Sequence, residues 1–211
     1  RYSGQLTNYI QTRNHRCMEE VLHEIGQEIF YCTDSVPSIK RFLIDIYLQI
    51  KQKISQVYTN ISIPFSTNSA IIDSIDGKSY LYEILKVLES QFEMCMNAIG
   101  GPSSENIMDD ILHYIDHNYM DNLKLESIAP LFGYNSAYLG KIFTKRVGES
   151  FNSYLDRIRI RQSKQLLEDE TLKVYEVAER IGYKNVDYFH KKFKKYVGES
   201  PAEYRKKLYK Q

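Results

Sequence analysis

The sequence predicts an all-α fold, in which an N-terminal helical region precedes a region that contains two similar pairs of helices. Apolar residues recur at helical spacing over most of the 211 residues. The stretch 125–150 is repeated with substitutions at 174–200, and residues 1–100 show no strand-like alternation of apolar and polar side chains. A repeat of this length is a supersecondary unit that the chain uses twice.

The repeated stretch has the pattern of a helix-turn-helix. Its matched positions are Ala129 and Ala178, Gly133-Tyr134 and Gly182-Tyr183, Phe143 and Phe193, and 147–150 and 197–200. An apolar helical run ends at a glycine, which readily adopts the left-handed conformation of a helix end. In the first copy, Asn135 or Ser136 then supplies an N-cap oxygen for a second helix. Such a second helix fits the major groove of DNA.

Over 125–208 the sequence resembles the DNA-binding domain of the AraC/XylS family of bacterial transcription regulators, in which one long helix joins two helix-turn-helix units. The matching positions are Tyr138-Leu139, Phe143, 148–150, Arg159-Ile160, Leu166-Leu167, Val177-Ala178, Gly182-Tyr183, Tyr188-Phe189, Phe193, 198–201 and Tyr204-Arg205. The resemblance implies a first unit at about 124–146, a joining helix at about 150–170 and a second unit at about 174–196. Pro130 and Ser163 depart from the family pattern, and neither is expected to break the fold.

The distribution of charge agrees with a DNA-binding C-terminal end. Residues 171–211 carry eleven Lys and Arg against five acidic residues, whereas the whole chain has a net charge of only +1. A basic end on an otherwise acidic protein is expected of a DNA contact surface. Such a charge run taken alone is more often a solvated helix face, so the repeat and not the charge decides between the two interpretations.

By family position, two sets of side chains are expected to contact DNA, and they differ in what they contact. The expected base readers are Ala137, Gly140 and Lys141 in the first unit and Val186, Asp187, His190 and Lys191 in the second. The expected phosphate contacts are Asn135, Ser136, Thr144, Lys145, Lys184, Asn185, Lys194 and Lys195. We call the second helix of each unit its recognition helix. Because Ala137 and Gly140 are small, the recognition helix of the first unit is expected to read less sequence than that of the second unit.

Helical periodicity assigns other side chains of this region to the core or to the solvent. The recognition helices are predicted to bury Tyr138, Leu139, Phe143, Tyr188, Phe189 and Phe193. The joining helix is predicted to point Tyr154, Leu155, Ile158, Leu166 and Leu167 inward and Arg157, Arg159, Arg161 and Lys164 toward solvent or phosphate.

Residues 1–100 are predicted to form a separate helical region that transmits a signal or dimerises, followed by a hinge at 101–104 and the AraC-type domain at 105–211. Helices are expected around 18–30, from Pro37 to Val57 and from Ser79 to Ile99, while the polar stretch 2–14 is expected to be a helical lead-in or frayed and 59–76 is irregular. Ser103 or Ser104 is expected to cap the helix that follows the hinge.

The N-terminal region is similar to the segment that lies between the receiver and DNA-binding domains of YesN-like response regulators, on the runs at 18–25 and 38–50. This resemblance implies that a receiver domain precedes Arg1 and takes its signal from a sensor histidine kinase. The alternative is an AraC-type regulator in which the N-terminal helices bind a small molecule or a protein partner. Double-stranded DNA is the expected partner in both cases, with RNA polymerase and a second copy of the chain as further possibilities.

No constellation in the sequence favours an enzyme, a cofactor or a metal site. The run 76–79 echoes the end of a phosphate-binding loop, but Ile72 occupies the place of its first glycine. His113 and His117 share a helix face without a complementary Glu or Cys ligand. The Cys95 thiol lies between two methionines on an apolar helix and is expected to be packed rather than reactive.

The cysteine content and the hydropathy predict a cytoplasmic protein. Cys17, Cys32 and Cys95 are few and scattered, which is typical of buried thiols in a reducing compartment. The sequence contains no apolar run near the roughly 20 residues that a membrane span requires, and no signal peptide is visible.

Overall fold

The computed structural model describes residues 1–100 and 107–209, which form twelve α-helices and no strand. The contacts between Cα atoms divide the chain into two compact units, Arg1–Tyr114 and Ile115–Gln211. The predicted all-α fold class is confirmed. The predicted hinge at 101–104 and the predicted caps at Ser103 and Ser104 lie outside the described residues.

The first compact unit contains five complete helices and the start of a sixth. They are α1 (Tyr2–Gln11), α2 (His15–Tyr31), α3 (Val36–Val57), α4 (Asn68–Asp76), α5 (Leu81–Ile99) and α6 (Ile107–Asn118). Helix α3 begins as predicted, since Pro37 lies in its first turn and the Ser35 hydroxyl accepts a hydrogen bond from the Ser38 N–H.

Two short segments of this unit are ordered helices. Of the two alternatives expected for 2–14, the helical lead-in is the one found: helix α1 packs against α2, α3 and α5 and buries Leu6 and Ile10 completely. Helix α4 lies in the segment that was expected to be irregular, and it buries Ile71 and Ile75. Both helices are ten residues or shorter, so each presents too few apolar positions for a periodic signal.

The second compact unit contains the two repeated helix pairs. Its helices after α6 are α7 (Leu125–Ile128), a 3₁₀ turn (Ala129–Phe132), α8 (Ser136–Val147), α9 (Phe151–Leu166), α10 (Val174–Arg180), α11 (Val186–Val197) and α12 (Pro201–Leu208). Helices α7 and α8 form the first helix-turn-helix unit, and α10 and α11 form the second.

Helix α9 joins the two helix-turn-helix units and packs against the recognition helix of each. The Phe143 ring of α8 meets Phe151 at the start of α9, with 5.9 Å between the ring centroids. Farther along α9, Ile160 shares a buried apolar cluster with Phe189 and Phe193 of α11. The joining helix is therefore the common support of α8 and α11.

None of the helices in the described part of the chain is both long enough and apolar enough to span a bilayer.

Candidate nucleic-acid interface

The turns of the two helix-turn-helix units have the same backbone geometry. Gly133 and Gly182 have φ values of 76° and 90°, which lie in the left-handed region that favours glycine. After each turn, an asparagine side-chain oxygen accepts a hydrogen bond from the backbone N–H three residues farther on, at 2.8 Å for Asn135 and 3.0 Å for Asn185. The predicted N-cap is therefore Asn135, and the second unit repeats it.

The first helices of the two units differ because of Pro130. In the first unit, α7 is only four residues long and continues as a 3₁₀ turn with Pro130 in its first turn. The corresponding α10 is a regular helix of seven residues. Proline lacks the N–H that an α-helix would use at this point, which accounts for the change of helix type.

The apolar faces of α8 and α11 are fully buried at their centres. Leu139 and Phe143 of α8 and Phe189 and Phe193 of α11 have no exposed surface, which confirms the prediction for these four side chains. The opposite faces of the two helices are therefore the ones that remain available to a ligand.

The prediction that Tyr138 and Tyr188 are core residues is wrong. Their exposed fractions are 51% and 49%, and each ring contacts the tyrosine that follows the turn glycine, Tyr134 or Tyr183, with centroids 5.5 and 5.9 Å apart. Both side chains lie at the edge of the apolar stripe, one residue before its centre. Helical periodicity places such a position near the core but does not decide whether a neighbouring element covers it.

All seven expected base readers are accessible. Ala137, Lys141, Asp187 and Lys191 are exposed, and Gly140, Val186 and His190 are half-buried. Their roles stay predictions, since accessibility is necessary for base contact and does not establish it.

The eight expected phosphate contacts fall into two groups. Lys145, Lys184, Lys194 and Lys195 are exposed lysines. In the other group, the side-chain oxygens of Asn135 and Asn185 already cap helices, and the Thr144 hydroxyl donates to the Gly140 carbonyl at 2.9 Å. Ser136 is half-buried in the first turn of α8.

A shallow open cavity of about 690 Å³ runs beside α8. It is lined by Leu125, Glu126, Ser136, Ala137, Gly140, Lys141, Thr144 and Lys145. Glu126 was not among the expected contacts, because it belongs to α7 and no local pattern places it beside the recognition helix. Gly140 permits this close approach of the two helices, since an added Cβ would lie 3.1 Å from the Leu125 Cδ2 atom.

On the joining helix, the expectation that Arg159 is solvated or near phosphate is wrong. Only 8% of Arg159 is exposed, and its guanidinium donates to the carbonyl oxygens of Tyr119 at 2.8 Å and Asp121 at 2.9 Å. Burial lowers the pKa of Arg159. Arg157 is exposed and pairs with Glu149 at 2.8 Å. Arg159 therefore fixes the turn that follows α6 instead of facing DNA.

A buried carboxylate connects the joining helix to the second unit. Asp156, 7% exposed, accepts a hydrogen bond from the Tyr183 hydroxyl at its Oδ1 atom, and the Lys192 Nζ lies 2.7 Å from its Oδ2 atom. The hydrogen bond to Asp156 raises the pKa of Lys192, and burial raises the pKa of Tyr183. We call Asp156, Tyr183 and Lys192 the α9–α11 clasp.

The cysteines and histidines singled out in the sequence lie mainly in ordinary structural environments. Cys95 is completely buried, and burial raises the pKa of its thiol to about 12, as expected of a packed cysteine. Cys32, in contrast, is exposed, so the expectation of buried thiols does not hold for it. The His113 ring stacks on Tyr58 with centroids 5.6 Å apart.

Comparison with known proteins places residues 128–207 in a family whose description is "helix-turn-helix domain". The HTH-type transcriptional activator AarP of Providencia stuartii is 34% identical over 100 residues, which cover 47% of this chain and 74% of AarP. The HTH-type transcriptional regulator YdiP of Escherichia coli is 31% identical over 166 residues, which cover 76% of this chain and 53% of YdiP.

Among solved structures, the C-terminal domain of the two-component response regulator yesN from Fusobacterium nucleatum is similar to part of the chain. Its sequence is 36% identical, and the match covers 46% of this chain and 96% of that domain with a TM-score of 0.45. The chain spans between 14% and 53% of the length of three curated relatives that it matches.

Proposed function

Because the chain belongs to the AraC-type family of helix-turn-helix transcription regulators, we propose that it reads a specific operator with α8 and α11, placed in successive major-groove segments of one duplex. One observation carries this proposal. The two recognition helices bury one face completely against a core that includes α9, and both present the expected readers on accessible positions.

The chemistry of the accessible side chains gives each a distinct role in the proposal. Lys141 and Lys191 donate to guanine, Asp187 accepts from the amino group of cytosine, and Ala137 and Val186 contact the methyl group of thymine. The exposed lysines at 145, 184, 194 and 195 contact phosphates, which position the protein without specifying sequence.

Selection of binding sites from random DNA with the whole chain tests the proposal. It is expected to return two short sequence elements about one helical turn apart. Recovery of no preferred sequence, under conditions in which the chain is folded, would contradict operator reading.

Two lysine variants then separate reading from positioning. Lys191→Ala is expected to change the preferred base at one operator position, with a loss of about tenfold or more for the original base. Lys194→Ala is expected to weaken binding to all DNA alike and to reduce the slope of log affinity against log salt by about 0.9. An equal loss on every sequence from Lys191→Ala would remove Lys191 from the readers.

We further propose that the chain is the output part of a two-component response regulator. The support is the helical nature of the first compact unit, together with the resemblance of 18–25 and 38–50 to the segment that follows a receiver domain. Treating the whole gene product with a small phosphodonor should strengthen operator binding. Incorporation of phosphate without any change in binding would contradict this part of the proposal.

The alternative, gating by a ligand of the N-terminal helices, has weaker support. A cavity in the first compact unit, between α2 and α3, measures about 240 Å³, below the roughly 300–1,000 Å³ of typical small-molecule sites. A larger space of about 440 Å³ beside α5 is an open surface groove rather than an enclosed site. A second copy of the chain and RNA polymerase remain proposed partners. Measuring the mass of the chain in solution, with and without operator DNA, tests the first of these.

A further inference from the structure

The α9–α11 clasp uses both oxygens of one carboxylate to hold two different parts of the second unit. Tyr183 follows the turn glycine Gly182, and Lys192 lies in the middle of α11 next to the expected reader Lys191. The distances from Asp156 are 2.7 Å to the Tyr183 hydroxyl and 2.7 Å to the Lys192 ammonium. The turn and the recognition helix are thus tied to the same point on α9.

The clasp is well shielded from solvent. The Asp156 side chain is 9% exposed and the Lys192 side chain is 22% exposed. The Lys192 ammonium also lies 5.0 Å from the centre of the Tyr188 ring, and the Arg159 guanidinium lies 5.2 Å from the centre of the Tyr183 ring. A shielded ion pair with a fixed hydrogen-bond geometry allows few alternative arrangements of the groups that it joins.

The first unit is built differently at the same positions. Ile142 stands where the second unit has Lys192, and the counterpart of Tyr183 is Tyr134, which is half-buried. Apolar packing holds α8, through Leu139 and Phe143. Apolar contacts are less directional than a hydrogen-bonded ion pair, so they restrict the rotation of a helix about its axis less tightly.

We propose that Asp156 is a positioning residue for DNA reading, which fixes the orientation of α11 and makes the second unit the more selective of the two. The inference rests on the proposed function, because it requires α11 to read bases. Lys192 acts inside the protein in this scheme and is not a phosphate contact. Asp156 was not identified from the sequence, and it is separate from the expected readers.

The test is the affinity of the whole chain for its selected operator and for random DNA, measured far below the melting temperature. Asp156→Asn keeps an oxygen that accepts from Tyr183 but removes the charge that holds Lys192. We expect operator affinity to fall about tenfold, equivalent to the loss of one good base contact, while random-DNA affinity changes less than about twofold. Glu149→Gln, which removes the ion pair between the half-buried Glu149 and the exposed Arg157 of the same helix, is the matched control and should leave both affinities unchanged.

Lys192→Met distinguishes positioning from direct contact and gives a second variant if Asp156→Asn fails to fold. If Lys192 only positions α11, Lys192→Met should lower the ratio of operator to random-DNA affinity as much as Asp156→Asn does. The slope of log affinity against log salt should stay unchanged. A uniform loss on all DNA with a slope reduced by about 0.9 would identify Lys192 as a phosphate contact and overturn the proposal.

Two further outcomes keep the inference separate from the proposed function. A wild-type chain with no operator preference would contradict operator reading itself. A wild-type chain that prefers its operator, with both clasp variants keeping the full preference, would leave the proposed function intact and overturn the role of Asp156.

Discussion

The two helix-turn-helix units of this chain share their turn geometry and N-cap, and they differ in how the rest of the unit is held. Each turn contains a glycine with positive φ, and each recognition helix begins at an asparagine cap. The first unit interrupts its leading helix at Pro130, whereas the second unit adds the buried clasp at Asp156. The repeated residues therefore define the motif, and the unrepeated residues give each copy different supporting contacts.

Substituting the turn glycines should give the largest difference between the two units in the free energy of unfolding. An added Cβ at Gly182 would lie 2.6 Å from the Met120 carbonyl oxygen, whereas one at Gly133 would meet nothing within 4 Å. Gly182→Ala is expected to destabilise the chain by at least about 3 kcal/mol, and Gly133→Ala by about 1 kcal/mol from backbone strain alone. Denaturant unfolding measures both, and equal losses would show that the two turns are equally constrained.

The two ion pairs of α9 should differ in how much they stabilise the chain, because Asp156–Lys192 is more buried than Arg157–Glu149. Asp156→Ala leaves Lys192 and Tyr183 without their shared acceptor, so we expect a loss of about 2 kcal/mol in the free energy of unfolding. Glu149→Ala removes the half-buried partner of the exposed Arg157 and should cost less than about 1 kcal/mol. Thermal and denaturant unfolding of the two variants test this, and a larger loss for Glu149→Ala would contradict the assignment of the clasp.

The N-caps Asn135 and Asn185 should contribute equally to stability, because each accepts the same hydrogen bond at a similar distance. Asn135→Ala and Asn185→Ala are each expected to lower the free energy of unfolding by about 1 kcal/mol. Asn185→Asp is the matched variant, since aspartate caps a helix as well as asparagine does but adds a negative charge. It should retain stability and weaken binding to all DNA, and unchanged DNA binding would place Asn185 away from the phosphates.

The smallest change in stability is expected from substituting Pro130, which is present only in the first unit. Pro130 lies in the first turn of a 3₁₀ segment, and this change of helix type already accommodates its missing N–H. Pro130→Ala should therefore lower the free energy of unfolding by about 0.5 kcal/mol, mainly because the unfolded chain gains conformational freedom. A loss above about 2 kcal/mol in denaturant unfolding would show that the 3₁₀ turn is essential to the first unit.

Several features of the fold could be predicted because their signals are local. The turn at Gly133, the cap at Asn135 and the burial of Phe143 each depend on residues within one or two helical turns. The short helix α4 was not predicted, since nine residues with two buried positions give no clear helical period of apolar side chains.

Two predictions of burial around the candidate interface were wrong, and both errors have one cause. Arg159 looks like a solvated arginine in the sequence, yet its partners are carbonyl oxygens near residue 120. Tyr188 lies at the edge of an apolar stripe, and a neighbouring element decides whether such a position is covered. Contacts between distant segments decide both cases, and no local pattern reports them.

The sequence by itself determined the all-α class and the duplicated helix-turn-helix, because periodicity, glycine conformation and capping act over short stretches of chain. The tertiary structure decided which charged groups leave the solvent. Asp156 meets Lys192 only when α9 and α11 pack together, and the desolvation of that pair depends on the whole packed unit rather than on either helix.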